Sequence, residues 1–403
     1  MSAADRPLDA DRPLDADRLR ARTLARQFPA GEPPAGGWTE TELLDVVARV
    51  GPVQSQVPRT PFLVAASRLP GIDRAVVETA FSRHRLVKTS SLRGTVHTTV
   101  AAQHPWVDAV ARSTRAAQLR QLLGLSADEV DALVAALETF ATDAWRERTD
   151  LVAHARDWLG RRRPELVAAL DREVAVSAVW GHSGLLRAPR DGRWDRRTDT
   201  RHRTAVALDP ALAPADPAAA VRALVLVHLG AFGPATETDV AWWLGLRLTP
   251  VRRAVAELGE RIVRLTGPDG RPLLDRAELA ARDDAAERGG SETDPGLRLL
   301  PEFDGLTLGY HAEGRDRFVD ADDLARVWSK TNGVWQPVVL HRRRLVAGWK
   351  VVAAGGGRSR IELTSFRAGL RLPADELGVR VDQTATVLGL TVSDVAVLPP
   401  PDR

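Results

Sequence analysis

Near its middle the chain contains two short helical patterns, separated by a turn and followed at once by a predicted β-hairpin. The first helix begins at a capping threonine, Thr236 or Thr238, and ends at Gly245. Thr249–Pro250 opens the second, since threonine caps helices and proline suits the first helical position. Residues 262–274 form the hairpin, with Gly-Pro-Asp-Gly at its turn. This order of elements is that of a winged helix, with a helix-turn-helix and a wing.

The same order of elements is predicted twice earlier in the chain. Capping boxes at Thr39–Glu42 and Ser126–Glu129 each start a helix with one apolar stripe, and further helices follow. β-Branched residues over 86–100, and the Asp191–Gly192 turn within 184–197, then indicate hairpins. We therefore expect three tandem winged-helix units, at residues 17–125, 126–215 and 216–275.

The segments outside these units differ in composition. Residues 4–15 repeat Ala-Asp-Arg-Pro-Leu-Asp twice without an apolar face, which predicts a disordered tail over 1–16. The acidic, glycine-containing stretch 276–295 is interpreted as a solvated linker in preference to a metal site. Strand patterns recur over 296–403, the last of them at 387–392. The expected fold is a mainly helical α+β protein in which three tandem winged-helix units precede a β-rich C-terminal region.

Composition excludes several classes of function. The chain has no cysteine, which removes disulfides, thiolate zinc sites, iron–sulfur clusters and a cysteine nucleophile. No Walker, GxGxxG, HExxH or GxSxG pattern occurs, so we expect no cofactor and no metal. No apolar stretch approaches the roughly 20 residues that span a bilayer, and the N-terminus is unlike a secretory signal. We therefore expect a cytoplasmic protein without membrane contact. We also expect a monomer, because three units in one chain remove the need for a dimer.

Tandem winged helices predict binding to double-stranded DNA, with a recognition helix in the major groove and a wing on the backbone. All but three of the 56 basic residues are arginine, whose planar fork suits phosphate and guanine, although a codon bias would give the same composition. Winged helices can also be protein–protein modules, and arginine-rich hairpins can simply be solvated. The candidate DNA-binding residues are Arg193, Arg196, Arg197, Arg252, Arg253, Arg342 and Arg343.

The segment 51–58 follows a predicted helix but has no core pattern. Gln54 and Gln56 lie two apart in it, between two prolines. Alternate side chains of an extended segment point the same way, so both amides can converge on one spot. By itself this is weak evidence, because two glutamines in a loop are usually structural or solvated.

The chain contains, in this order, the strings VQSQVPRTPFLVAASRL, SLRGTVHTT, GPATETDVAWWLGL and LLPEFDGLTLGY. Together they resemble the AlkZ-like family of tandem winged-helix DNA glycosylases, and the similarity runs from about Asp17 to near the C-terminus. The resemblance implies excision of alkylated purines, including bulky guanine N7 adducts and crosslinks. It also implies that Gln54 and Gln56 carry catalysis, because they fall on the family's Gln-x-Gln or Gln-x-Asp pair. The middle residue, usually hydrophobic in the family, is Ser55 here.

The side chains support a mechanism for that activity. An N7-alkylated purine is cationic and leaves as a neutral base without protonation, and a glutamine amide oxygen can hold a water near positive charge developing on the sugar. With Lys88, Lys330 and Lys350 as the chain's lysines, an imine with the sugar is disfavoured. We therefore expect a monofunctional glycosylase that leaves an abasic site, in DNA repair or in self-resistance to a genotoxin.

Three further residues are candidates for supporting the site. His97 alternates with its neighbours in a strand pattern and either faces the DNA or is a hydrogen-bonded structural histidine. Arg93 lies close to it in sequence. Arg68 ends the helix after the glutamine pair, and it either pins that loop or touches phosphate. The main alternative function is a non-catalytic DNA-binding protein such as a regulator. A lyase or nuclease would need a lysine nucleophile or a carboxylate–metal site, and neither is evident.

Overall fold

The structure, a computed structural model, describes residues 13–28, 33–290, 294–329 and 333–400. It is a mixed α+β fold. Its α-helices are α1 (Ala16–Gln27), α2 (Glu40–Val50), α3 (Thr60–Arg68), α4 (Arg74–Ser82), α5 (His104–Leu123), α6 (Ala127–Phe140), α7 (Arg148–Arg162), α8 (Glu173–Trp180), α9 (Ala205–Leu208), α10 (Pro217–Phe232), α11 (Glu237–Leu244), α12 (Leu248–Leu258), α13 (Ala277–Arg288), α14 (Gly305–Leu308), α15 (Leu324–Val327) and α16 (Ala374–Leu388). Its strands are β1 (Val53–Gln54), β2 (Leu86–Ser90), β3 (Val96–Val100), β4 (Arg146–Glu147), β5 (Leu185–Ala188), β6 (Arg201–Thr204), β7 (Ile262–Thr266), β8 (Pro272–Arg276), β9 (Arg298–Leu300), β10 (Val338–His341), β11 (Arg344–Gly355), β12 (Arg358–Ser365) and β13 (Val392–Leu398).

A six-stranded antiparallel sheet joins the hairpins of the first two predicted units. Its strand order is β1-β3-β2-β5-β6-β4, and β2 meets β5 at the pair Thr89–Leu186. The second hairpin is wider than the sequence predicts, because β5 and β6 flank residues 189–200, and Asp191–Gly192 lies inside that long loop. Since the two hairpins share one sheet, the division into separate winged-helix units stays a prediction.

The largest apolar core surrounds α10. This helix is apolar on most of its faces, as expected of a helix buried on several sides, and it packs against α1, α2, α5, α12 and β8. Leu224, Leu229 and Phe232 of α10 join the core with Trp243 of α11 and Tyr310 of the C-terminal region. The core therefore places α11 and the segment around Tyr310 against the first part of the chain.

The elements expected around Thr236 are present. Thr236 caps α11 and forms a capping box with Asp239, and the helix ends at Gly245 in the left-handed conformation. A short turn leads to α12, and the hairpin β7–β8 follows. Among the described residues, no helix combines the length and the apolarity needed to cross a membrane.

The C-terminal sheet has the order β13-β12-β11-β10-β9, with β12 and β13 parallel and the other neighbours antiparallel. The predicted strand at 387–392 is wrong. Helix α16 continues to Leu388 and buries Leu377, Val381 and Val387. The parallel pair needs such a crossover helix, and β13 begins only after it. A short apolar run that spans a helix end and a strand start has no periodicity of its own.

The prediction of a solvated linker over 276–295 is also wrong for most of its length. Residues 277–288 form α13, and its carboxylates face arginines of α1. The guanidinium of Arg26 donates to both carboxylate oxygens of Asp275 at 2.7 Å and to Asp283 at 2.6 Å. Arg22 pairs with Asp284 in the same interface. The acidic run is helical because distant arginines neutralise it.

The predicted disordered tail falls mostly on residues 1–12, which lie outside the described residues. At its end the prediction is wrong, because Leu14 is buried against Leu19 and Leu273. The Leu14 N–H donates to the carbonyl of Thr266 at 2.9 Å, which ties this segment to the β7–β8 hairpin.

We expect Arg26→Met to lower the free energy of unfolding by about 3–5 kcal/mol, because it leaves the buried Asp275 without its cation and removes the shorter of two guanidinium contacts from Asp283. Urea-induced unfolding measures this. The matched control is Arg253→Met, which removes an exposed guanidinium that pairs with Glu257 and should cost at most about 1 kcal/mol. Similar losses for both variants would contradict a structural role for the Arg26 network.

Candidate active site

The chain enters the candidate site through Gly51. Gly51 has φ of 75°, and a Cβ on it would lie 3.0 Å from the Trp243 ring, so the position requires glycine on two counts. β1 follows and pairs with β3 in the register Val53–Thr98 and Gln54–His97. Beyond Gln54 the backbone continues alongside β3, because the Ser55 N–H donates to the Val96 carbonyl at 2.7 Å.

Gln54 lies on one face of the sheet, which we call the glutamine face, and Gln56 follows in the bend after β1. The two side chains differ in exposure: Gln54 is 8% exposed, whereas Gln56 is open to solvent. The Gln54 Oε1 accepts from Arg93 Nη2 at 3.0 Å. The Gln56 Oε1 accepts from the Val96 N–H at 3.4 Å. Both amide oxygens therefore turn towards the segment between β2 and β3.

Arg93 is fixed between the glutamine and α11. It lies in the turn between β2 and β3 with φ of 53°, and its Nη1 donates to the Trp243 carbonyl. Its guanidinium carbon is 4.9 Å from the centre of the Trp242 ring. Burial, and secondarily the charge of Arg315, lowers the pKa of Arg93 to about 10, so the side chain is still a cation at neutral pH.

His97 lies opposite Gln54 in the sheet and is 2% exposed. Its Nδ1 lies 3.1 Å from the Thr95 carbonyl and 3.2 Å from the Ser91 hydroxyl. Because a carbonyl can only accept, Nδ1 carries the proton. Burial, together with the charge of Arg93, lowers the pKa of His97 to about 3. His97 is therefore neutral at physiological pH and is not a source of protons there.

Arg68 lies behind the glutamine segment and is buried. Its guanidinium donates to both oxygens of Asp304, at 2.5 and 2.9 Å, and to the Gln27 side chain at 2.9 Å. The Arg68 side chain is only 1% exposed, so a phosphate cannot reach it in this arrangement. Of the two roles left open by the sequence, the geometry favours pinning the loop.

Ser55, the departure from the family pattern, points away from the two glutamines. Its hydroxyl hydrogen-bonds to the Val53 carbonyl at 3.0 Å and to the Thr98 hydroxyl at 2.8 Å. It is buried on the opposite face of the sheet. A serine is accommodated there because Thr98 supplies a polar partner, and the substitution leaves the face with the glutamines unchanged.

Lys88 lies on the same face as Ser55, since it is the partner of Thr98 in the pairing of β2 with β3. Its ammonium group is 3.1 Å from Asp199, which also pairs with Arg187 at 3.1 Å. Burial lowers the pKa of Lys88, and Asp199 opposes that change only in part. Lys88 thus forms a buried ion pair on the face of the sheet opposite Gln54. Lys350 pairs with Glu362, and Lys330 lies outside the described residues.

The sequence-predicted DNA-binding arginines have different surroundings. Arg197 contacts the glutamine segment, because its Nη2 donates to the Gln56 carbonyl at 3.4 Å, and Arg196 beside it is exposed. Arg342 and Arg343 form the turn between β10 and β11, with φ of 47° and 60°. The remaining three are ion-paired at the surface: Arg193 with Asp195, Arg252 with Glu237 and Arg253 with Glu257.

Arg315, which the sequence pattern does not single out, lies beside Arg93 in the structure. Its guanidinium carbon lies 5.1 Å from the centre of the same Trp242 ring. A single arginine in an irregular stretch carries no pattern, and the tryptophans around it come from distant segments. The Trp242 ring is thus in contact with both arginines.

All four of the sequence strings that suggested a family meet at this site. Arg93 of the second string hydrogen-bonds to Gln54 of the first and to the Trp243 carbonyl of the third. Arg68 of the first string pairs with Asp304 of the fourth. The four strings are therefore in contact with one another through Arg93 and Arg68.

Comparisons with known proteins identify the family of the chain. The model of the family described as "DNA glycosylase AlkZ-like" matches residues 47–386. The "Interstrand DNA cross-link repair glycosylase" of Streptomyces sahachiroi is 26% identical over 384 residues, which are 89% of this chain and 94% of that protein. The solved structure of Streptomyces sahachiroi DNA glycosylase AlkZ has a TM-score of 0.77 at 22% identity, and covers 96% of this chain and 100% of its own.

We expect acid to destabilise the protein in part through His97. The unfolded chain takes up a proton on this histidine near pH 6.5, whereas folded His97 does so only near pH 3. Its contribution to stability is complete above pH 6.5 and falls as the pH is lowered, by about 2 kcal/mol at pH 5. Denaturant unfolding at pH 7 and pH 5 should show the wild type losing about that much more than His97→Gln. Equal losses would mean that folded His97 is protonated at pH 5.

Proposed function

The chain belongs to the AlkZ-like family of DNA glycosylases, and we propose that it excises N7-alkylated purines from duplex DNA as a monofunctional enzyme. Membership makes it a hydrolase that acts on N-glycosyl bonds. The substrate class, the roles of Gln54 and Gln56, and the absence of an imine step are the proposed parts. The observation that carries them is that both glutamine side chains reach the β2–β3 hairpin, where Arg93 is fixed beside Gln54.

In the proposed mechanism the amide oxygens of Gln54 and Gln56 hold a water at C1′ of the sugar. A purine alkylated at N7 carries a positive charge and departs as a neutral base, so no acid has to protonate it. The charge then develops on the sugar, where amide oxygens stabilise it. A neutral His97 fits this scheme, because the site does not need a proton donor. Arg93 orients Gln54 through the bond to its Oε1, which leaves that amide in one position.

Bulky adducts are the favoured substrates under this proposal. The cavity behind Gln54 measures about 20 Å³, which is room for roughly one water and not for a purine. Gln56, in contrast, lies on an open face. A reaction on that face would not require a lesion to fit into an enclosed pocket. The Streptomyces relative is named for interstrand crosslink repair, and we extend the same possibility of crosslinked substrates to this chain.

We further propose that the protein works as a monomer built from three winged-helix units, with the β-rich C-terminal region beyond them. Arg197, at the carbonyl of Gln56, is then the predicted DNA-binding residue next to the reaction site. The other predicted arginines would contact the backbone farther along the duplex. Repair of alkylation damage, or self-resistance to an alkylating genotoxin, is the biological setting that this activity fits.

The Gln54→Ala/Gln56→Ala variant should excise N7-methylguanine from a duplex at least about 100-fold more slowly than the wild type, because the water loses both of its acceptors. Alkaline cleavage of the abasic product measures the rate. Gln383→Ala on α16 is the control and should keep the wild-type rate. An unchanged rate in the double variant would place catalysis elsewhere. No excision by either protein would direct the test to a bulkier N7 adduct.

Borohydride reduction during the reaction should trap no covalent protein–DNA complex, because the lysine nearest in the sheet, Lys88, is paired with Asp199 on the opposite face. The assay separates crosslinked from free DNA on a denaturing gel. A trapped complex that disappears in Lys88→Met would show a bifunctional enzyme and contradict the proposal. Trapping that survives this substitution would identify Lys350, Lys330 or the terminal amine as the nucleophile.

A further inference from the structure

Arg315 is surrounded by three tryptophan rings. Its guanidinium carbon lies 4.5 Å from the ring centre of Trp328, 5.1 Å from that of Trp242 and 5.4 Å from that of Trp335. Trp328 and Trp335 stack on each other with centres 5.7 Å apart. Planar guanidinium groups bind well to the faces of such rings. The three rings, which we call the tryptophan cradle, therefore hold this side chain in a defined orientation.

The charge of Arg315 has no counterion among the described residues. No carboxylate of the described chain lies within 4.0 Å of its guanidinium, and its buried Nε has no hydrogen-bond partner. Arg317, two residues later, donates to the Phe232 carbonyl and the Tyr310 hydroxyl instead. A half-buried cation that is oriented but not neutralised is unusual, because charges removed from water are normally paired.

The cradle also places Arg315 at the edge of the candidate active site. Trp242 contacts Arg93 as well, and Arg93 holds the Gln54 amide. Arg93 likewise has no carboxylate partner in the described parts of the chain, since its donors reach a carbonyl and an amide oxygen. Two unneutralised cations thus share one tryptophan beside the glutamine pair, and an anion is the ligand that both would attract.

We propose that Arg315 binds a backbone phosphate of the substrate duplex close to the nucleotide on which Gln54 and Gln56 act. This rests on the proposed function, because it assumes that the duplex reaches the glutamine face. Phosphate is the anion that duplex DNA presents, and the planar fork of arginine binds it through two donors. The tryptophan cradle keeps the fork in place before DNA arrives, so less conformational freedom is lost on binding.

The test measures binding, so that it does not depend on excision. The probe is a duplex with one N7-methylguanine on a 2′-fluorinated sugar, which resists hydrolysis of the glycosidic bond. We expect Arg315→Met to weaken binding about tenfold at 0.1 M salt and to lower the slope of log K against log salt by about one. Arg315→Lys should keep most of the slope. Arg156→Met is the matched control, because that arginine is partly exposed, is already paired with Asp171 and is not among the predicted DNA-binding residues.

A second set of duplexes identifies the phosphate. Each carries one uncharged methylphosphonate near the lesion, and one position should weaken the wild type about as much as Arg315→Met does. A methylphosphonate at that same position should leave the affinity of Arg315→Met unchanged, because this variant has already lost the contact. Trp328→Leu should weaken binding at this position too, since the cradle no longer orients the fork. Melting temperatures establish that each variant is folded.

Two results would overturn the proposal. One is an unchanged salt slope in Arg315→Met, or methylphosphonate effects that simply add to the effect of Arg315→Met. The other is normal binding with a slower excision rate, which would mean that Arg315 acts only by supporting Arg93. Loss of the proposed function would look different: the Gln54/Gln56 variant would excise normally while the phosphate contact persisted.

Discussion

The guanidinium of Arg93 is the contact on which the geometry of the site depends, because it joins three segments that are far apart in the chain. It binds the side chain of Gln54, the carbonyl of Trp243 and the ring of Trp242. Its backbone has φ of 53°, a conformation that a non-glycine residue keeps only when its surroundings hold it there. Gly245 packs closely against Arg93, since a Cβ at this position would lie 3.3 Å from Arg93 Cγ. The glycine thereby leaves room for the Arg93 side chain.

The parts of the fold that could be predicted are those specified by local interactions. The capping boxes at Thr39–Glu42 and Ser126–Glu129 form as expected, because every partner lies within three residues. Between Thr236 and Thr238 the sequence was ambiguous, and the structure selects Thr236, whose partner Asp239 completes the box. α13 could not be predicted, because its acidic residues are neutralised by arginines of α1 more than 250 residues away.

The same distinction holds for the candidate site. The spacing of Gln54 and Gln56 predicts that their side chains converge; both do reach the β2–β3 hairpin, but Gln56 does so from a bend and not from the strand. The role of Arg68 could not, since it is decided by Asp304, which lies 236 residues away. Arg315 was missed for a similar reason: its environment is built from rings on separate segments. The fusion of two hairpins into one sheet is likewise a long-range pairing, carried by Thr89 and Leu186.

Charge is distributed in a way that bears on the proposed chemistry. Basic and acidic residues nearly balance, at 56 and 53, so a general attraction to DNA is weak and local imbalance matters more. Arg26 and Arg68 are neutralised inside the protein, whereas Arg93 keeps its charge beside Gln54 without a carboxylate. Under the proposed mechanism the positive charge of an alkylated base moves to the sugar as the bond breaks. Amide oxygens at the sugar favour that movement. A pair of neutral glutamines can then suffice, whereas an unalkylated purine would leave as an anion and would need an acid to protonate it.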